Sequence, residues 1–195
     1  MVAVVLSAVL ALVSHSASTP SHAANFPSKG NVVPGQTIGG IGLGMSELQV
    51  KQRWGHNYSV CTTCGGRNLI WLYEYQGGEP LGAAVKFNIP NTASSTSKSS
   101  KTTSKAAVAA AAAAATDKVV AVFTLGSPLG WGVKGAMMFD PVSNVYNIFG
   151  NPGTANCVGY TALTIRIGAN TMSFYSASGV IYGFALTAPS QSPCQ

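Results

Sequence analysis

Alternating apolar and polar residues near the carboxyl end of the chain predict β-strands. In one segment Leu163, Ile165 and Ile167 alternate with Thr164 and Arg166, so the aliphatic side is expected to face a core. Similar patterns, separated by short turns, predict strands over residues 160–167, 171–176 and 180–187. An earlier part of the chain has a second group of apolar and aromatic segments, which predicts strands over residues 68–75, 82–88 and 118–125.

A helix signal precedes each group of strands. Ser46 and Gln49 have the spacing of a capping box, and Gly55 is placed to end the first helix. A second helix is expected over residues 141–149. There Asp140 can act as the N-cap, Pro141 suits the first helical position, and Gly150 can end the helix.

The two helix signals lie 95 residues apart in the sequence, since Gly150 and Gly55 differ by 150 − 55 = 95. The same offset superposes further pairs: Gly40 on Gly135, Val50 on Val145, and Trp54 on Phe149. A constant offset of this kind predicts an internal duplication. The sequence therefore predicts an α+β fold with two tandem repeats, each a helix plus three strands. Together they are expected to form a mostly antiparallel sheet with helices on one face.

Applying the offset to the strands predicts which side chains are exposed. It places Ile70 and Leu72 inward, so that aromatic and basic residues share the open face of the sheet. The predicted binding residues are Trp71, Tyr73, Tyr75, Lys86, Arg166 and Tyr175, while Val85, Phe87, Met172 and Phe174 are expected in the core. Clustered Trp and Tyr are typical of binding hot spots. A register slip of one residue would reverse these faces, and the inserted segment could also cover them.

The chain is expected to divide into four parts: a signal peptide (1–24), a flexible leader (25–37), repeat 1 (38–125) and repeat 2 (126–195). Ser21, His22 and Ala23 fit a signal-peptidase site after an apolar run that is too short to span a membrane. No basic residue precedes Lys29, so Met1 need not be the true start. An uncleaved anchor is the alternative. Residues 91–117, rich in Ser, Thr, Lys and Ala, are expected to form a low-complexity insertion in repeat 1.

Charge argues against nucleic acid as the partner. Only 8% of the residues are charged, against about 25% in typical soluble domains, although the formal net charge is +6. Four of the lysines lie in or beside the insertion, and no basic cluster alternates with aromatic residues. We expect no nucleic-acid partner and no stable membrane span once the signal is cleaved.

Four cysteines in an exported chain predict two disulfides, for which three pairings are possible. The preferred pairing joins Cys61 to Cys64 and Cys157 to Cys194. The C-x-x-C spacing also allows a redox site, but Gly65 and Gly66 follow where a helix would be needed. Zinc would require a second ligand pair with matching spacing. We expect no metal ligands.

No catalytic constellation stands out, and we expect a protein that is not an enzyme. His56 follows a helix end, where a cationic side chain is favourable. Glu74 with His56 or Asp140 is the alternative, a small carboxylate-dependent hydrolase. The glycine-rich segment 39–44 lacks the lysine of a phosphate-binding loop, and no cofactor is expected.

The segment GIGLGMSELQVKQRWG, residues 40–55, resembles the first helix of the SmpA/OmlA (BamE) outer-membrane assembly lipoproteins. Two such units with disulfides are similar to the secreted β-lactamase inhibitory proteins. This resemblance implies a sheet whose aromatic face grips a protein partner. The lipid-attachment cysteine of the lipoproteins is missing here, and the insertion is foreign to the inhibitors.

We therefore expect a secreted or cell-envelope module that is not an enzyme and binds a protein. An inhibitor of a secreted or envelope enzyme is one form of this expectation. The alternatives are an envelope structural or assembly protein, whose insertion and basic leader contact cell-wall polymer, and the hydrolase.

Overall fold

The computed structural model describes residues 31–61, 63–76, 79–88, 117–125, 131–133 and 135–194, with the side chains at 73–76, 79–81 and 125 left out. The predicted signal peptide, the first part of the leader, and residues 91–116 of the insertion lie outside these ranges. The envelope-structural alternative rests on that insertion and stays a prediction.

The main sheet contains eight strands, all antiparallel to their neighbours. In chain order they are β4 (Ser59–Cys61), β5 (Asn68–Gln76), β6 (Glu79–Phe87), β7 (Val119–Leu125), β10 (Gly153–Cys157), β11 (Tyr160–Ile167), β12 (Asn170–Ala177) and β13 (Val180–Thr187). Their order across the sheet is β10-β11-β12-β13-β7-β6-β5-β4. The first and second groups of predicted strands therefore form the two halves of one sheet, joined where β7 pairs with β13.

Five short strands and two helices complete the fold in the described residues. The strands are β1 (Val32–Val33), β2 (Thr37–Ile38), β3 (Ile41–Gly42), β8 (Gly132–Val133) and β9 (Ala136–Met137), and the helices are α1 (Glu47–Trp54) and α2 (Ser143–Phe149). Strand β1 and Thr37, the first residue of β2, lie in the segment predicted to be a flexible leader. Val32 is buried there and Thr37 is paired with Val33, so residues 31–37 belong to the folded part.

The predicted α+β class, with two repeats of one helix and three strands, is wrong. The protein is mostly β, with one eight-stranded sheet and two helices of 8 and 7 residues in its described part. The outer strands β4 and β10 were missed because their sequences, SVC and GTANC, have no run of alternating apolar residues. Their place in the sheet comes from pairing with β5 and β11.

The helix ends follow the predicted signals more closely. The Ser46 hydroxyl accepts from the Gln49 N–H, and the Gln49 side chain accepts from the Ser46 N–H, which completes the capping box. Gly55 and Gly150 end the helices with positive φ of 79° and 78°. Asp140 does not cap α2, because the helix begins at Ser143 and its N-cap position, Val142, is itself in a helical conformation.

One core fills the side of the sheet on which both helices contribute residues. Trp54 of α1 meets Trp71 of β5 edge to face, with ring centroids 5.2 Å apart, and Phe149 of α2 meets Phe174 of β12 at 5.3 Å. The predicted core residues Val85, Phe87, Met172, Phe174 and Leu163 are all buried in this cluster. We call this side of the sheet the core face and the other side the outer face.

The faces of β5 are the reverse of the prediction, so that Trp71 is in the core and Leu72 is 48% exposed. One row of paired residues crosses the sheet and joins Ile70 to Thr164, through Ala84, Phe123, Ala185 and Ser173. These two ends differ by 164 − 70 = 94, not 95. Three residues separate Gly55 from β4, but two separate Gly150 from β10. The offset between the two halves therefore changes from 95 to 94 in the loop after each helix. The side chains of β5 consequently face the side opposite to the one that an offset of 95 predicts.

A buried carboxylate links α1 to β5. Glu47 accepts two hydrogen bonds from Arg67, at 2.6 and 2.9 Å, and its carboxylate lies 2.5 Å from the Lys51 Nζ. Burial alone would raise the pKa of Glu47, but the bonds from Arg67 and Lys51 outweigh it and the pKa is lowered. The ionised form of Glu47 therefore stabilises the fold.

We expect Glu47→Gln to lower the free energy of unfolding by about 2 kcal/mol at pH 7, because two cations lose a buried partner. The contribution of Glu47 is present above its ordinary pKa of 4.5 and is lost as the pH falls through the lower folded value. The variant and the native protein should therefore converge in stability below pH 4.5. Urea denaturation from pH 3 to 7 checks this, and an equal gap at every pH would contradict it.

Candidate partner-binding surface

Trp71, the first of the predicted binding residues, is fully buried on the core face. Its indole N–H donates to the Gly55 carbonyl at 3.3 Å, and its ring packs against Trp54 and Tyr58. Trp71 therefore fixes the end of α1 on the sheet and cannot contact a partner. The side chains of Tyr73 and Tyr75 lie outside the described residues, and their predicted role stays a prediction.

Tyr175 lies on the outer face, as predicted, but it is buried rather than open. Its ring contacts Tyr160 at a centroid distance of 5.0 Å, and Ala162 and Ala185 belong to the same small cluster. The Tyr175 hydroxyl is buried and has no hydrogen-bond partner among the described residues. Burial, with smaller contributions from Tyr160 and Tyr182, raises the pKa of Tyr175 well above 10. This residue supports the fold.

Lys86 and Arg166 lie on the outer face too, but far apart. One row of pairs connects them across β6, β7, β13, β12 and β11. Four strand spacings correspond to about 19 Å. Lys86 is partly buried and Arg166 is exposed. The four predicted residues whose side chains are described, Trp71, Lys86, Arg166 and Tyr175, therefore do not form one aromatic binding face.

A tight turn just before α2, on the core-face side of the sheet, is more informative about a binding site. The Asp140 N–H donates to the Met137 carbonyl at 3.2 Å, which closes a turn over residues 137–140. Phe139 is the third residue of this turn, and its φ is +69°. A turn with positive φ at this position normally has glycine or asparagine there, because a side chain is strained in that conformation.

The first half of the chain makes the same backbone contacts with glycine. The Gly44 N–H donates to the Val119 carbonyl of β7 at 2.9 Å, as the Phe139 N–H donates to the Ile181 carbonyl of β13 at 2.6 Å. Gly44 also has positive φ, 81°. Phe139 follows Gly44 by 139 − 44 = 95 residues, the predicted offset. A glycine thus suits this geometry, yet the second half holds a phenylalanine at a cost of about 1–2 kcal/mol.

Phe139 is not part of the core that could offset this strain, because its relative exposure is 47%. Three further large apolar side chains on this turn and on α2 are also exposed: Met137 at 36%, Tyr146 at 42% and Ile148 at 37%. We use the name Phe139 patch for these four exposed residues of the turn and of α2. The Ile148 methyl lies 3.9 Å from the Cβ position of Gly135, which places it against the β8–β9 hairpin.

The two helices differ in their content of charged residues. The α2 sequence, SNVYNIF, has no charged residue, whereas α1 carries Glu47, Lys51 and Arg53. Depletion of charge around exposed aromatics is typical of the centre of a protein interface. Asp140 holds the patch in place, because its carboxylate accepts from the Met137 N–H at 2.8 Å and from the Asn144 side chain at 3.3 Å. The sequence signal for this site was the offset of 95, which sets Phe139 against Gly44.

A cavity of about 390 Å³ opens at the other end of α2. Its walls come from the end of the helix, the start of β10, and the neighbouring strands β11 and β12: Phe149, Asn151, Pro152, Gly153, Thr164, Ile165, Arg166 and Thr171. Arg166 pairs with Thr171 across the two strands, so both side chains are on the outer face. The cavity is polar and contains one of the predicted binding residues.

The remaining candidate chemistry is structural in the described residues. The disulfides are Cys61–Cys64 and Cys157–Cys194, the predicted pairing. His56 is exposed after α1, Asp140 is engaged in the turn, and the Glu74 side chain is not described, so the hydrolase stays a prediction. No group of His, Cys, Asp and Glu suited to a metal occurs among the described side chains. None of the described helices has the length and apolar character to cross a membrane.

We expect Tyr175→Phe to raise the free energy of unfolding by about 1 kcal/mol, because the hydroxyl is buried without a hydrogen bond. Above pH 10 the advantage should grow, since the unfolded native chain ionises Tyr175 while the folded chain, with its raised pKa, does not. Thermal denaturation at pH 7 and pH 10.5 measures both effects. Destabilisation at pH 7 would show that the hydroxyl has a partner.

The strain at Phe139 can be measured apart from the loss of its ring. We expect Phe139→Gly to be more stable than Phe139→Ala by about 1 kcal/mol, because only glycine adopts positive φ without cost. Gly44→Ala should cost a similar amount and serves as the matched control. Urea denaturation of the three variants tests this. Equal stability of the Gly and Ala variants would mean that the turn relaxes and stores no strain.

Comparisons with known proteins leave the family open. No family model matches the sequence, and no curated protein matches it. Two solved structures have low similarity: an extracellular protein containing a SCP domain from Bacillus anthracis str. Ames (10% identity, TM-score 0.42) and a cysteine-rich secretory protein from Staphylococcus aureus subsp. aureus Mu50 (9% identity, TM-score 0.40). The matches cover 75% of this chain, but only 44% and 43% of those chains. The predicted resemblance to BamE and to the β-lactamase inhibitory proteins stays a prediction.

Proposed function

We propose that the protein is an exported module that binds a protein partner through the Phe139 patch. The observation that carries the proposal is the exposed aromatic ring of Phe139 at φ +69°, in a turn where the first half of the chain has Gly44. Strained residues that the surrounding structure holds in place are typical of functional sites.

The patch has the composition of an interface core. It presents two aromatic rings, a methionine and an isoleucine beside a helix without charge. Aromatic residues and methionine are enriched in protein interfaces, and a few such residues usually supply most of the binding energy. A fixed turn also lowers the entropy cost of binding, because the backbone that carries the ring is held by hydrogen bonds before the partner arrives.

Export is supported by the covalent structure. Two disulfides and no free cysteine occur in a chain of 195 residues, as expected for an oxidising compartment. A module of this kind acts by occupying its partner's surface. A more specific form of the proposal is that the protein inhibits a secreted or envelope enzyme. Adding the protein to the captured partner and measuring the activity of that partner tests it.

The proposal predicts that Phe139→Gly abolishes capture of a partner that the native protein retains. The bait is disulfide-bonded protein from residue 25 onward, applied to envelope and secreted fractions. We expect at least a tenfold loss of captured partner, since truncating an interface anchor costs about 2 kcal/mol or more.

The matched control is Leu48→Ala, which removes a 57% exposed apolar side chain from α1 and should capture the same partner as the native protein. Circular dichroism and thermal denaturation establish that both variants are folded. Equal capture by Phe139→Gly and the native protein would overturn the proposal, as would equal losses in the two variants.

A further inference from the structure

We propose that the cavity around Arg166 binds a carboxylate of the partner, from an aspartate or glutamate side chain. This inference rests on the proposed function, because it assigns a second contact to the partner that occupies the Phe139 patch. The ligand class follows from the unpaired charge of Arg166, the hydroxyl groups beside it, and the shape of the sheet edge.

Arg166 differs from the other arginines of the described chain. Arg67 forms two hydrogen bonds with Glu47, and Arg53 donates to the Gly40 carbonyl at 2.5 Å. Arg166 is exposed and has no ion pair or hydrogen bond from its guanidinium within the described ranges. An arginine presents a planar fork of donors that fits a carboxylate in two parallel bonds.

The sheet edge leaves space for a ligand next to this side chain. The outer strand β10 begins at Gly153, which pairs with Thr164, so Ile165 to Ile167 have a strand neighbour on only one side in the described structure. Pro152 precedes Gly153 and has no N–H with which to extend the ladder. The resulting notch is the cavity of about 390 Å³, which is large enough for an acidic side chain.

The other polar groups of the cavity favour a single negative charge. Thr164, Thr171 and Asn151 line it with two hydroxyls and one amide, and no acidic residue is part of the wall. Arg166 is also the only cation of that wall. A phosphate group carries nearly two charges and is usually bound by several cations or by a nest of backbone N–H groups. One arginine with neutral donors suits a carboxylate better.

The cavity and the patch are within reach of one partner. Ile148 belongs to the Phe139 patch, and the next residue, Phe149, lines the cavity. Helix α2 has 7 residues, which corresponds to a length of about 10 Å. To contact both, a partner must cover α2 and continue around the sheet edge, where Phe149 and Arg166 line the same cavity.

The test uses the disulfide-bonded protein with labelled arginine side chains and nuclear magnetic resonance of their Nε–Hε groups. The probe is the blocked peptide acetyl-Gly-Glu-Gly-amide, with acetyl-Gly-Gln-Gly-amide as the neutral match and inorganic phosphate as a third ligand. We expect a saturable shift of Arg166 with the glutamate peptide and at least tenfold weaker binding of the glutamine peptide and of phosphate.

Two substitutions sharpen the result. Arg166→Gln should abolish the saturable binding, and Arg166→Lys should weaken it several-fold, because lysine keeps the charge but loses the fork. Arg53→Gln is the matched control and should leave the binding unchanged. Equal binding of the glutamine peptide, tighter binding of phosphate, or binding that survives Arg166→Gln would each overturn the inference.

The two proposals can fail separately. Loss of the carboxylate site with intact, Phe139-dependent capture would remove only this inference. If capture does not depend on Phe139 while the glutamate peptide still binds at Arg166, the carboxylate site stands and its assignment to the partner on the Phe139 patch is overturned.

Discussion

The pairing of β7 with β13 is the interaction on which the rest of the structure depends. It joins residues 121–125 to residues 183–187 in register, and so converts two meanders into one sheet. Every strand outward of this seam pairs with a neighbour close in sequence, apart from the long connection between β6 and β7. The register at the seam therefore decides which residues of both halves share the core, including Val122 and Phe184. Near the start of each of these strands, a carbonyl accepts a hydrogen bond from one of the two turns, Val119 from Gly44 and Ile181 from Phe139.

Three tryptophans explain why the core face cannot serve a partner. Trp54 donates to the Gly39 carbonyl at 2.9 Å, and its ring meets Trp71. Gly39 has a positive φ, and a Cβ there would approach the Trp131 ring to 2.8 Å, so glycine is required on both counts. Rings that are this closely packed hold α1 to the sheet, and none of the three tryptophans is accessible to a partner. Among the described side chains, the exposed aromatic residues are Phe139 of the turn and Tyr146 of α2, and α2 itself contains no charged residue.

Much of the fold was predictable from local signals, and the errors have identifiable physical causes. Strands with strong apolar patterns, the capping box at Ser46, the glycines that end both helices and the disulfide pairing were all correct. The edge strands were missed because pairing, not apolar pattern, defines them. The face of Trp71 was wrong because strand parity is lost when a loop changes by one residue, which no periodicity within the strand reveals. Phe139 was accessible from the sequence offset, but its exposure and its φ are consequences of tertiary hydrogen bonds that the sequence does not show.

The short outer strands have a consequence for the behaviour of the protein at high concentration. A long, flat edge strand offers its free N–H and carbonyl groups to any neighbouring chain, which is a route to fibres and precipitates. The described sheet ends in β4, with 3 residues, and in β10, with 5 residues and a proline before it. A cysteine bridge is attached to each of these strands, at Cys61 and Cys157. Edges that are short and covalently tethered limit growth of the sheet by addition of further copies, so association is directed away from the strand edges.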